Sequence, residues 1–449
     1  MSKYFGTDGV RGEANIELTP ELAFAMGRAA SFYFNHKHKE NKGSPVFFIG
    51  RDTRISGQML ESAIAAGICS AGGQAVLLGV APTPAVAYLT QKHKVRAGIV
   101  ISASHNPFGD NGIKFFDRTG YKLSDETENE LEELIETAKN LPRVTGKKVG
   151  TIAEKSNLLD EYIDHIVKLA DTDFSGLKIV IDCANGAASN FASRVFSKLK
   201  AEIIVINSEP NGININDNCG STHLDNLKNE VLKNKADLGI AYDGDADRCL
   251  AVTEKGEVVD GDQIMMICAL ELLKENKLAK NKIVATVMSN IGLHQKAKAE
   301  GIEIVTTAVG DRYVLEAMLK QGLNLGGEQS GHIIFSDHSA TGDGLLTSLK
   351  LSLALKKSNK KMSELANIMK IFPQLLVNVK VKTKDGFQDN ENIKNIIKEK
   401  EEELGENGRI LVRPSGTEPV IRVMGEGPCI VELEKIVNSI AEVIYREQS

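Results

Sequence analysis

Three times along the chain a short apolar run empties directly into a polar loop, and this repetition restricts the fold more than any other feature. Ala97-Gly98-Ile99-Val100-Ile101 leads into Ser102-Ala103-Ser104-His105-Asn106-Pro107, and Leu238 to Ala241 leads into Asp243-Gly244-Asp245-Ala246-Asp247-Arg248. A third unit, with strands expected at Ile283 to Val287 and Ile302 to Val305, ends in Gly326-Gly327-Glu328-Gln329-Ser330-Gly331-His332. Runs of four or five apolar residues bounded by turn residues have the length of buried strands, and the stretches between them, such as Gln58 to Ala71 and Tyr313 to Lys320, read as helices. Strands alternating with helices predict an α/β fold, in which ligands gather in the loops at the strands' carboxyl ends.

At 449 residues the chain exceeds one ordinary hydrophobic core, so several domains are expected. From about Phe372 the texture changes: Leu375 to Val381 and Arg409 to Arg413 read as strands around a charged helix, Ile393 to Glu403, with a further strand through Arg422 and a terminal helix to about Tyr445. This predicts a small α+β domain. We place the boundaries at 1–155, 156–257, 258–371 and 372–449.

Hydrophobic residues at 42%, charged residues at 25% and a formal charge of −6 describe water-soluble globular material without a general attraction to nucleic acid or anionic lipid. Any phosphate binding must therefore be local. No apolar run is long enough to span a membrane, and the N-terminus runs into Gly6 and Asp8 without the apolar stretch of a signal peptide. The six cysteines are scattered singly, without a C-x-x-C pair, which predicts reduced thiols and a cytoplasmic protein.

In the acidic loop, Asp243, Asp245 and Asp247 stand at every second position and can converge on one hard cation; oxygen-only ligands favour magnesium or calcium over zinc. An EF-hand-type calcium loop is the main rival, and Glu254 falls where such a loop carries its bidentate glutamate. Arg248, however, occupies the position where that loop needs glycine, and the flanks are strand-like. A solvated acidic turn is the blander alternative, set against the mutual repulsion of three crowded carboxylates.

The loop from Ser102 to Pro107 contains only common turn residues and can be a capped turn. Its position after a buried strand, with the polar cluster Asp110-Asn111-Gly112-Ile113-Lys114 close behind, suits a serine nucleophile or phosphoryl carrier, with Lys114 taking a proton or stabilising charge. His105 reads equally as a base or as a hydrogen-bonded loop residue, and a hydrolase triad is a weaker rival. The turn Arg413-Pro414-Ser415-Gly416-Thr417-Glu418-Pro419, followed by Arg422, carries the equipment for a phosphate dianion, or else is a surface hairpin. No G-x-x-x-x-G-K-[ST] loop and no strand-linked G-x-G-x-x-G occurs, which argues against a P-loop nucleotidase or a dehydrogenase.

Taken in order, Ser-Ala-Ser-His-Asn-Pro, Asp-Gly-Asp-Ala-Asp-Arg, Gly-Glu-Gln-Ser-Gly-His and Arg-Pro-Ser-Gly-Thr-Glu-Pro resemble the α-D-phosphohexomutase superfamily over essentially the whole chain. The opening Tyr4 to Gly12 and Gln329 look like the bacterial branch acting on glucosamine phosphates rather than the phosphomannomutase/phosphoglucomutase branch, where methionine often replaces that glutamine. The resemblance implies three similar α/β domains with mixed sheets and a C-terminal α+β phosphate-binding domain, around a central cleft. It implies Ser104 as phosphoserine and, with Asp243, Asp245 and Asp247, as a ligand of one Mg2+. It implies Arg11 and Lys114 as basic groups beside it, with His105 a further catalytic candidate. Glu328 and Ser330 would contact sugar hydroxyls, with His332 and Arg248 in the same substrate site. Arg413, Ser415, Gly416, Thr417 and Arg422 would grip the phosphate that is not reacting. The expected partners are a phosphosugar substrate, a sugar 1,6-bisphosphate acting as intermediate and activator, and a second copy of the chain in a homodimer. The alternatives are a preference for neutral hexose phosphates, a non-catalytic phosphosugar-binding protein and a metal phosphatase.

Overall fold

The computed structural model describes residues 4–6, 8–37, 44–415 and 419–449. The chain divides into two compact units, Met1–Val287 with Ile304–Asn367, and Met288–Glu303 with Ile368–Ser449.

The larger unit holds three mixed sheets. The first runs Val10–Glu13, Asp110–Asp117, Ala97–Ile101, Val46–Arg51, Gln74–Val80, Ile152–Glu154. Val46–Arg51 pairs in parallel with Ala97–Ile101 and with Gln74–Val80, whereas Asp110–Asp117 is antiparallel to Ala97–Ile101. Every residue of Ala97–Ile101 is buried, as expected of a strand covered on both faces, and this is why its sequence is continuously apolar rather than alternating. Phe47, Ile49, Ile99 and Ile101 of the sheet share a core with Ile64 and Ile68 of the helix Gly57–Ser70.

The second sheet runs Val258–Val259, Cys249–Thr253, Leu238–Tyr242, Lys178–Asp182, Glu202–Ile206. Leu238–Tyr242 lies parallel to Lys178–Asp182 and antiparallel to Cys249–Thr253, with Tyr242 opposite Cys249, so the acidic segment is the loop of a β-hairpin. The third runs Glu303–Thr307, Lys282–Thr286, Leu325–Gly327, Ile333–Phe335, and the segment 328–332 turns between its last two, antiparallel strands.

The smaller unit carries an antiparallel sheet, Gln374–Lys380, Val420–Glu426, Arg409–Pro414, with helices Glu391–Leu404 and Ile430–Gln448. Ile421 and Val423 of its central strand pack with Ile436, Val437, Ile440 and Ile444, which recur at helical spacing along the terminal helix.

The polar cluster Asp110 to Lys114 opens the strand Asp110–Asp117, whose polar ends conceal a buried centre at Ile113, Phe115 and Phe116. The helix Asp125–Glu136 is followed by a short 3-10 turn, Ala138–Asn140. Among the described residues no helix is long and apolar enough to cross a membrane. All six cysteines are free thiols, five of them buried.

Candidate active site

The chain leaves the strand Ala97–Ile101 and turns sharply at Ser104, which takes a left-handed backbone conformation (φ +52°) and is only 1% exposed. Its hydroxyl donates to Asp243 Oδ2 at 2.5 Å, and its backbone N–H donates to Ser102 Oγ at 2.9 Å. The serine oxygen thus rests against the acidic loop. Gly244 makes this approach possible, because a β-carbon there would lie 2.4 Å from the Ser104 carbonyl oxygen.

Asp243, Asp245 and Asp247 are buried and can each offer an oxygen such that all three lie within 4.8 Å of one another. Like charges at that separation repel by about 3.5 kcal/mol per pair at an effective dielectric near 20. Accordingly, burial together with Asp247 and Asp245 pushes Asp243 well above the usual carboxylate range. Asp245 Oδ2 accepts from Thr83 Oγ1 at 2.7 Å and from Lys114 Nζ at 3.0 Å, and Asp243 Oδ1 accepts from the Arg248 N–H at 3.2 Å. Asp245 Oδ1 and Asp247 Oδ1 are buried with no hydrogen-bond partner. Two orphaned carboxylate oxygens beside a third carboxylate suit a hard cation, and no other such cluster occurs among the described residues. Glu254 does not join them: it accepts from the backbone and hydroxyl of Ser363, which removes the calcium-loop reading.

Lys114 is 1% exposed and faces Asp245, Asp8 at 3.2 Å and Asp247 at 3.8 Å. Burial alone would lower its pKa, but these three carboxylates outweigh burial and hold it above the ordinary lysine value. His105 Nδ1 lies 3.5 Å from Ser104 Oγ, and burial, with Arg248 and Arg11 nearby, lowers its pKa to about 4. Arg11 donates to Asp8.

The loop 328–332 is brought to the same place. Glu328 accepts the Gly310 N–H at 3.0 Å. His332 is 3% exposed, wedged between Asp247 (Nδ1 to Oδ2, 3.6 Å) and Asp311 (Nε2 to Oδ2, 3.7 Å), and it accepts the Gly342 N–H at 3.2 Å. Burial alone would lower its pKa, but those two carboxylates outweigh burial and raise it. The structure therefore sets His332 directly against Asp247 of the acidic loop rather than on an open surface. Ser330 Oγ is buried without a hydrogen-bond partner, and Gln329 donates to Asp260, the N-cap of the helix Gly261–Lys274, at 3.2 Å. The Arg248 guanidinium lies among acids: burial opposes its charge, while Asp247, Asp243 and Glu328 raise its pKa.

Asp8, Lys122, Asp311, Thr83 and Arg54 were not identified from the sequence. Lys122 donates to both Asp8 and Asp311 and so connects the basic groups near Ser104 to His332. These residues come from segments far apart in sequence, and only their convergence marks them.

In the smaller unit, Arg413 and Arg422 are directly opposite each other on neighbouring antiparallel strands. Two cations in that register repel, and burial together with Arg422 lowers the Arg413 pKa. Ser415 is buried, and its carbonyl accepts from Lys384 Nζ at 2.6 Å, which adds a third positive group. Gly416 and Thr417 lie outside the described residues.

Family models for successive domains of phosphoglucomutase/phosphomannomutase match the chain: alpha/beta/alpha domain I over residues 2–142, domain II over 160–256, domain III over 260–372 and the C-terminal domain over 376–443. The chain is 54% identical over 448 residues to a phosphoglucosamine mutase of Brevibacillus brevis, covering 100% of each, and 52% identical to that of Acetivibrio thermocellus, covering 99% of each. A phosphoglucomutase/phosphomannomutase family protein from Burkholderia thailandensis superimposes with a TM-score of 0.82 at 25% identity, covering 99% of this chain and 98% of the other. An Aspergillus fumigatus N-acetylphosphoglucosamine mutase, solved with GlcNAc-6P and magnesium, shares the fold with a TM-score of 0.67 at 17% identity, covering 100% of this chain and 96% of the other.

Proposed function

We propose that this chain, which belongs to the phosphoglucomutase/phosphomannomutase family, is a phosphoglucosamine mutase that interconverts glucosamine 6-phosphate and glucosamine 1-phosphate for amino-sugar nucleotide and cell-wall synthesis. The observation that carries the chemistry is the buried serine oxygen 2.5 Å from a carboxylate of the acidic triad.

In this reading Ser104 carries the phosphoryl group. The sugar's 1-hydroxyl oxygen bonds to phosphorus as the bond from phosphorus to Ser104 Oγ breaks, which yields a bound 1,6-bisphosphate. The bisphosphate reorients, and its 6-phosphoryl group returns to Ser104 to release glucosamine 1-phosphate. Asp243, Asp245, Asp247 and an oxygen of the phosphorylated Ser104 would hold one Mg2+, whose charge would supply electrostatic stabilisation of the transferring group. Lys114 and Arg11 present positive charge to the same centre. Lys114 and His105 are assigned the proton exchanged with the sugar hydroxyl; His105 stands 3.5 Å from Ser104 Oγ. Glu328, Ser330 and Arg248 orient the sugar, and His332 belongs to the same site through its contact with Asp247. Arg413, Ser415, Gly416, Thr417 and Arg422 hold the distal phosphate, a role suited to the opposed arginines. The same proposal includes domain boundaries at 155, 257 and 371, activation by a sugar 1,6-bisphosphate, a homodimer and a cytoplasmic location.

Sugar identity is tested by kcat/KM for glucosamine, glucose and mannose 6-phosphates side by side, with magnesium and trace bisphosphate. The aminosugar is expected to lead by about tenfold or more. An equal or greater value for a neutral hexose would move the protein to the sister activity, and phosphate release without isomerised sugar would make it a phosphatase.

For the distal phosphate, Arg413→Ala is expected to raise KM about 10- to 100-fold, as loss of a charge-assisted bond of ~1.5–3 kcal/mol implies. Thermal stability should not fall, because the substitution removes one of two opposed cations. An unchanged KM would take Arg413 out of the site.

A further inference from the structure

The segment Asp52-Thr53-Arg54-Ile55 links the strand Val46–Arg51 to the helix Gly57–Ser70. Its Arg54 is among the largest fully buried side chains of the protein. A guanidinium has five N–H donors, and here all five are occupied. Nε donates to Asp52 Oδ2 at 2.8 Å. Nη1 donates to the carbonyl of Pro107 and, at 3.0 Å, to that of Asp110. Nη2 donates to the carbonyls of Ser104 at 3.0 Å and Asn106 at 2.9 Å.

The partner carboxylate works on the same loop from its other end. Asp52 Oδ2 accepts from Ser102 Oγ at 2.6 Å, and that oxygen in turn accepts the Ser104 N–H at 2.9 Å. Both main-chain polar groups of Ser104 are therefore fixed, the N–H through Ser102 and Asp52 and the carbonyl by Arg54. A second clamp comes from the side carrying the acidic loop: Asn216 Nδ2 donates to the same two carbonyls, Ser104 at 2.8 Å and Asn106 at 3.0 Å. Thr53 Oγ1 bonds the Asn185 carbonyl at 2.6 Å, and the Ile55 N–H bonds that of Gly212 at 2.8 Å, so the segment bearing Arg54 is tied to the body that presents the triad.

We infer that Arg54 is a positioning residue for phosphoryl transfer: with Asp52 and Asn216 it holds Ser104 in its left-handed backbone conformation and so fixes the reacting oxygen against the triad. With no donor left over, Arg54 does not bind phosphate; it acts only through the loop. A non-glycine residue at positive φ is held there by its surroundings, and the loop carbonyls would otherwise be free to turn. Lysine cannot replace it, since a single ammonium lacks the planar fork that reaches four carbonyls and a carboxylate together.

This inference rests on the phosphoserine reading, and its test separates the two. Arg54→Lys and Asn216→Ala are compared with wild type by thermal unfolding, by Mn2+ binding, by steady-state kinetics, and by mass spectrometry of Ser104 phosphorylation from a hexose 1,6-bisphosphate. For Arg54→Lys the expected result is a fall of about 10²-fold in both kcat and the rate of Ser104 phosphorylation, as displacing a reacting atom by about 1 Å implies. KM should stay within about threefold and Mn2+ affinity unchanged, a split that general loss of structure does not produce. Asn216→Ala, which trims only the second clamp, should show the same pattern with roughly a tenfold fall, and it decides the matter if Arg54→Lys does not fold. Folded variants with kcat within about twofold of wild type, or a change confined to KM, would overturn the inference. If wild type phosphorylates Ser104 but does not interconvert glucosamine phosphates, the sugar assignment fails while the phosphorylation rates still test Arg54.

Discussion

Replacing Ser104 by alanine is expected to lower kcat for glucosamine phosphate interconversion by roughly 10⁴-fold or more, because no second nucleophile can take its place and residues acting as one catalytic unit are lost together. The substitution removes a methylene-borne hydroxyl whose bond is to Asp243. A hydrogen bond to a charged group contributes about 1.5–3 kcal/mol, so the melting temperature should move by only a few degrees. Added bisphosphate should not restore turnover, since the carrier itself is missing. Normal turnover of the alanine form without bisphosphate would refute the scheme.

The second large effect is expected at the metal loop, where Asp243→Asn should sever binding from stability. In the wild type three buried carboxylates crowd within 4.8 Å, and a cation bound between them would relieve their repulsion. Removing one negative charge therefore leaves the metal-free protein at least as stable as wild type while it loses the cation. A ligand at a hundredfold excess over its Kd stabilises the folded state by about 2.7 kcal/mol, and this increment should appear when magnesium is added to wild type and vanish in the variant. The kcat of the variant should drop about 10²- to 10³-fold. A melting temperature that rises equally with magnesium in both proteins would place the cation elsewhere.

Much of this site was legible because its chemistry is local. The alternation Asp243, Asp245, Asp247 and the serine loop after a buried strand are contiguous, and each needed only a strand boundary to be placed. The strand Asp110–Asp117 was hidden because Asp110, Asn111 and Asp117 at its ends have low strand propensity, whereas Lys114 is tolerated in its buried centre only through acids from elsewhere. The helix Gly344–Ser358 is buried along most of its length and so lacks the polar face by which surface helices are recognised. Arg54, Asp52 and the chain Asp8, Lys122, Asp311 were illegible for a different reason: their partners are main-chain carbonyls or charges many residues distant, and no spacing rule reports these. Ser102 illustrates the limit well. As sequence it is a near neighbour of Ser104, but in the fold its hydroxyl joins Asp52 to the Ser104 backbone.

The most direct test of the central claim follows the phosphoryl group itself. Enzyme carrying isotopically labelled phosphate on Ser104 is mixed with unlabelled glucosamine 6-phosphate and magnesium and quenched within one turnover. The account predicts that label leaves Ser104 and appears on the sugar, first in the 1,6-bisphosphate and then in the monophosphates. Sugar interconversion with the label still on the protein, or label recovered only as inorganic phosphate, would contradict it.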